Sequence, residues 1–116
     1  MVTVFRRGHY FGTQYITGPQ CLLLLLDLQD ERIDDPFVAA LNEDLIYGNP
    51  EDHCVRTAVL AGTDEANSEH KTSWHPLEIR YSFSSYDKRC TLMRRAARAI
   101  VEQLATQSPE SFARRD

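Results

Sequence analysis

Apolar residues are densest at Cys21-Leu22-Leu23-Leu24-Leu25-Leu26-Asp27-Leu28, a run closed by a carboxylate and followed by the acidic stretch Asp30-Glu31-Arg32-Ile33-Asp34-Asp35. The run is too short to span a bilayer, which needs about 20 residues. Its length suits a buried strand. A helix is the alternative, because leucine favours helices and Gly18-Pro19 serves a helix start as readily as a turn. In a strand, successive side chains alternate between faces, so this run sets leucine on both and predicts a central position.

The flanking patterns extend the sheet. Thr3-Val4-Phe5 and Tyr10 to Thr17 are rich in aromatic and β-branched residues and are bounded by Gly8 and Gly18-Pro19, which predicts strands and a hairpin into the leucine run. Asp35-Pro36 has the form of a helix start, with Phe37, Ala40, Leu41 and Leu45 near one helical face and Gly48 and Pro50 as the stop. Val55, Thr57 and Val59 alternate within His53 to Ala61 and predict a strand. Thr63 to Trp74 is polar without apolar periodicity and predicts a long surface loop. Leu77 to Phe83 alternates cleanly, with Leu77, Ile79, Tyr81 and Phe83 on one face and Glu78, Arg80 and Ser82 on the other. Ser84 and Asp87 have capping-box spacing and open a helix whose face carries Tyr86, Cys90, Met93, Ala97, Ile100, Val101 and Leu104.

The order ββαββα predicts an α+β fold: a two-layer, mostly antiparallel sheet of about four strands with two helices on one face. At 116 residues the chain fits one domain, placed at 1–108, with 109–116 as a flexible C-terminal tail.

Composition, at 42% hydrophobic and 26% charged, is that of a soluble globular protein. Residues 1–7 carry no signal-peptide succession, which points to the cytoplasm. Cys21, Cys54 and Cys90 are an odd set without CxxC spacing, so free thiols are expected. The formal charge of −4 is uneven: Asp27 to Asp52 holds nine acidic residues against Arg32 alone, and Tyr86 to Asp116 holds seven basic against four acidic. An acidic total argues against nucleic acid as a partner, since that affinity comes from neutralised phosphates.

Candidate chemistry is sparse. Asp27 ends an apolar strand, where α/β proteins place catalytic groups. Phosphatases of the haloacid-dehalogenase type follow such a strand with DxD, whereas Gln29 occupies the second position here. Leu24 to Gln29 resembles the first-strand signature of the isochorismatase-like cysteine hydrolases, and Cys54-Val55 with Ala58 is similar to the segment around their nucleophile. That resemblance implies Asp27 as base and Cys54 as nucleophile. It covers two short segments, and the chain departs from the family in having no lysine between them and too small a gap.

His9, His53, His70 and His75 are scattered without HxH or HxxxH spacing. A zinc site from His53, Cys54, His70 and His75 would require the 63–74 loop to fold back, and no metal or cofactor is expected. Lys88, Arg94, Arg95 and Arg98 form a basic flank on the last helix, suited to phosphate or an acidic protein surface. With no phosphate loop or nucleophile signature, the best reading is a non-enzymatic protein-interaction or small binding module that self-associates. A second copy or a partner protein would cover the outer leucines. The alternative is a small hydrolase using Asp27 with Cys54 or a histidine.

Overall fold

The computed structural model describes residues 3–17, 20–41, 52–83 and 89–115. Along the chain run β1 (Val4–Arg7), β2 (Tyr10–Thr17), β3 (Gln20–Gln29), β4 (Phe37–Ala40), α1 (Asp52–His70), β5 (His75–Phe83), α2 (Arg89–Thr106), a 3-10 turn at Pro109–Ser111 and β6 (Ala113–Arg114). The strands form one sheet in the order β4-β5-β3-β2-β1-β6. β4 pairs with β5 and β6 with β1 in parallel, and the other pairs are antiparallel. The expected four-stranded, mostly antiparallel ββαββα arrangement is therefore corrected to a six-stranded mixed sheet with two helices.

The leucine run is strand β3, central in the sheet as its two apolar faces require. Leu22, Leu24 and Leu26 join Val4, Phe11, Val38, Ile79 and Tyr81 under both helices, against Val55 and Val59 of α1 and Met93, Ala97, Ile100 and Leu104 of α2. On the other face Leu25 is only 3% exposed and Phe5 only 1%. Phe5, Gly12 and Leu25 stand side by side across β1, β2 and β3. A Cβ on Gly12 would lie 2.8 Å from the Phe5 ring, so the glycine creates the slot the ring fills. The guanidinium groups of Arg7 and Arg115 lie 5.6 and 4.9 Å from the ring centroid and roof it. Thus, among the described side chains of β1, β2 and β3, the outer leucine face is largely filled from within, with half-buried Leu23 left at its apolar part.

Four local expectations change. Phe37 to Ala40 is a strand and not a helix; a run this short fits either period, and pairing with β5 decides it. Leu45, Gly48 and Pro50 lie outside the described residues, as do Ser84 and Asp87. The stretch expected as strand 53–61 plus loop 63–74 is mostly one helix, α1. Its buried positions are Val55, Ala58, Val59, Gly62, Thr63, Ala66 and Asn67, a continuous helical stripe. Thr63 and Asn67 interrupt its apolar character, and Val55, Thr57 and Val59 mimic a period of two. Residues 109–115, expected as tail, bury Phe112 in the core and add β6 to the sheet edge. Finally, Cys54, half-buried on α1, is disulfide-bonded and not a free thiol.

The helices cross closely at Gly62, where a Cβ would strike the carbonyl oxygen of Arg94. Around that crossing Arg94 donates to Glu65, with Nε at 2.8 Å from Oε2, and Arg98 bonds Glu69 and, at 2.8 Å, Glu102. No described helix is long and apolar enough to cross a membrane.

Candidate functional site: the open face of the sheet

Both helices lie on one face of the sheet, and no described helix covers the other. Strand alternation sets its side chains: because Val4, Phe11, Leu26, Ile79 and Val38 point to the core, their neighbours Phe5, Tyr10, Asp27, Glu78 and Phe37 point outward. Register then aligns them. Arg7 pairs with Tyr10, Asp27 with Glu78, and Glu78 with Phe37. Tyr10 precedes Phe11, the partner of Leu26, and so comes level with Asp27. Arg115 follows Arg114, the partner of Arg6, and comes level with Arg7. One row therefore crosses five strands through Arg7, Tyr10, Asp27, Glu78 and Phe37 and continues to Arg115, the residue just past β6.

The middle of this row is fixed by hydrogen bonds. The Tyr10 hydroxyl donates to Oε2 of Glu78, and Arg80 Nε donates to the same oxygen at 2.7 Å. The turn at Gly8, with φ of 60°, delivers His9, whose Nε2 lies 3.9 Å from Asp27 Oδ2 and whose ring stacks on Tyr10 at 4.1 Å between centroids. The Arg80 guanidinium also sits 5.0 Å from the Phe37 ring centroid. Two carboxylates facing each other on neighbouring strands repel, and Tyr10, Arg80 and His9 compensate them. The Tyr10 hydrogen bond, then the Arg80 bond, hold the Glu78 carboxyl below its ordinary value. In return, Glu78 raises the Tyr10 phenol and stabilises the Arg80 cation. The result is an ionised carboxylate held by fixed donors, with an aromatic ring, 56% exposed at Phe37, at one end and two guanidinium groups at the other.

Among the candidate residues, Asp27 belongs to this face and Cys54 does not. Cys54 lies on α1, on the opposite side of the sheet, and its disulfide leaves no thiolate to act as nucleophile. The histidine beside Asp27 is His9. Arg94 and Arg98 of the basic flank are engaged with Glu65, Glu69 and Glu102, Arg95 is exposed, and Lys88 lies outside the described residues. Among the described residues no group of three or more His, Cys, Asp or Glu side chains is placed to hold a metal; His75 instead lies 3.5 Å from Asn67. Sequence reasoning missed Tyr10, Arg7, Arg115 and Phe37. Asp27 and the wet face of β5, Glu78 and Arg80, were the pointers to the site.

No family model, no curated protein and no solved structure matches the chain.

Proposed function

We propose that the protein is a non-enzymatic interaction module that binds protein through the open face of its sheet and self-associates there. The observation that carries this reading is Phe37, an exposed aromatic ring at the end of a row whose Tyr10, Glu78 and Arg80 are already held in place. Side chains fixed before binding lose little rotamer freedom on association, and tyrosine and arginine are enriched among energetically dominant interface residues. Leu41, 41% exposed and two residues on from Ala39 on the face of Phe37, extends the apolar end. Carboxylates at the centre of the face oppose nucleic acid, and the reading needs no metal, cofactor or membrane.

Light scattering at micromolar to high micromolar concentration tests it. The wild-type chain should exceed the monomer mass, and Phe37→Asp, at a position outside the core, should return it to monomer with its circular dichroism intact. A monomer mass for the wild type, or an assembly indifferent to Phe37→Asp, contradicts the reading.

A second reading, hydrolysis with Asp27 and a histidine, is favoured by the approach of His9 to Asp27. It requires turnover in a broad hydrolase screen that Asp27→Asn and His9→Ala both abolish. Cys54 is disulfide-bonded and the cytoplasm keeps thiols reduced, which favours an oxidising compartment over the expected cytoplasm; peptide mapping of alkylated protein from cells should find the Cys54 disulfide intact, and a free Cys54 thiol would return the chain to a reducing compartment.

A further inference from the structure

The row across the open face is complementary to itself under a two-fold rotation. In order it reads two cations (Arg115, Arg7), a phenol (Tyr10), two carboxylates (Asp27, Glu78) and an exposed ring (Phe37), one residue on each of five strands and Arg115 just past β6. A two-fold axis lying between two such faces, parallel to the strands and midway between β2 and β3, keeps every residue at its own level and exchanges the ends of the row. Arg7 then meets Glu78 of the other copy, Arg115 meets Phe37, and Asp27 meets Tyr10 with its neighbour His9.

We infer that the partner of the open face is a second copy of this chain, docked face to face about that axis, with Arg7 on the partner's Glu78 and Arg115 on the partner's Phe37. The inference rests on the interaction-module reading and fixes its occupant and register. Three observations support it. Among the described residues neither Arg7 nor Arg115 has a carboxylate within ion-pair distance, although the chain carries a net charge of −4; their guanidinium groups are held over the Phe5 ring, and Arg7 Nε donates to the Arg115 carbonyl at 3.0 Å.

Other axes are poorer. An axis along β3 stacks Asp27 on Asp27, and one between β3 and β5 stacks Asp27 on Glu78, both like-charge contacts. An axis along β2 pairs Asp27 with Arg7 and Glu78 with Arg115 but leaves Phe37 beyond the edge of the partner. Only the axis between β2 and β3 covers the full width without opposing like charges. Such a contact is isologous, so it closes as a dimer, and twisted sheets pack face to face in this aligned manner about 10 Å apart. Six strands at about 4.8 Å spacing give a face about 24 Å wide and a footprint on the order of 400 Å² per copy, below that of standard protein interfaces, so the dimer is a weak, transient one.

Charge exchange tests the register by sedimentation velocity at low salt. Arg7→Glu alone and Glu78→Arg alone should each weaken self-association at least about thirtyfold, as loss of an interfacial charge pair does. An equimolar mixture of the two should form a heterodimer within about threefold of wild-type affinity, because one of its two contacts between positions 7 and 78 is restored with the charges exchanged and the other is the wild-type pair. Glu78 supports Tyr10 and Arg80, so a second pair at exposed positions guards against misfolding: Phe37→Arg should be monomeric, and mixing it with Arg115→Glu should restore the dimer. A dimer that Phe37→Asp dissociates but that neither mixture restores overturns the register and leaves the open-face reading standing. A dimer untouched by every face variant, or a monomeric wild type, overturns both.

Discussion

Phe5 and Glu78 show how single side chains close a face that the leucine run would otherwise leave apolar. Phe5 lies flat because Gly12 has no Cβ, and two guanidinium groups complete its burial. Gly12→Ala should therefore displace the ring or Leu25 and destabilise the fold by about 1–3 kcal/mol, read from urea denaturation; an unchanged midpoint would mean the slot has slack. Glu78 titrates below its ordinary value because Tyr10 and then Arg80 donate to it. A carboxyl whose folded pKa is depressed contributes stability that is present above its unfolded pKa, about 4.3 for glutamate, and is lost as pH falls through the folded value. Tyr10→Phe removes the leading donor. Carbon-detected NMR should then show the Glu78 pKa rising toward the ordinary range, with a smaller loss of stability at acid pH. No movement of that titration would mean that the Tyr10 hydrogen bond does not hold Glu78 in solution.

At the scale of elements, α1 is held by a buried stripe that includes polar groups with specific partners. Asn67 Nδ2 donates to the Trp74 carbonyl at 2.9 Å, while its Oδ1 accepts from Trp74 N at 3.0 Å and from Thr72 Oγ1 at 2.9 Å. The side chain thus acts as a stretch of backbone that pins the entry to β5. Gly62 lets α1 approach α2, and Gly62→Ala should lower stability even though alanine is the better helix former by about 1 kcal/mol, because the new methyl meets the Arg94 carbonyl. A stabilised variant in urea denaturation would show that the helices separate freely. Leu104, buried on α2, should cost roughly 2–5 kcal/mol on truncation to alanine.

These elements also explain what the sequence made legible. Strand β5 and the core stripe of α2 were readable because their apolar residues follow one period over many positions, and the β2–β3 hairpin because an aromatic and β-branched run and a continuous leucine run of strand length flank Gly18-Pro19. Strand β4 was misread because four residues cannot distinguish the periods. Helix α1 was misread because Thr63 and Asn67 sit in its buried stripe and owe their burial to tertiary partners. Strand β6 has no local signal of its own, since its two residues are ordered by β1 and by the burial of Phe112. The site was partly legible: Asp27 and the wet face of β5 stood out, but the register that aligns them with Arg7, Tyr10 and Phe37 exists only in the assembled sheet.

At the scale of the whole molecule, one face is a closed core under two helices and the other a charged row that ends in an exposed ring. The chain's acidic surplus lies largely in its middle, and the guanidinium groups of Arg7 and Arg115 lie at one edge of the row, so association that joins them to carboxylates should weaken as salt screens the contact. Sedimentation between about 0.05 and 0.5 M salt should show that loss, whereas an assembly strengthened by salt would point to apolar packing alone. The central claim is that the open sheet face binds a second copy. Backbone amide NMR shifts followed on dilution from high to low micromolar concentration test it most directly. Concentration-dependent shifts are expected at Arg7, Tyr10, Asp27, Glu78, Phe37 and Arg115, with the solvent-facing positions of α1 and α2 unmoved; shifts confined to the helices, or no shifts at any concentration, would contradict a dimer through this face.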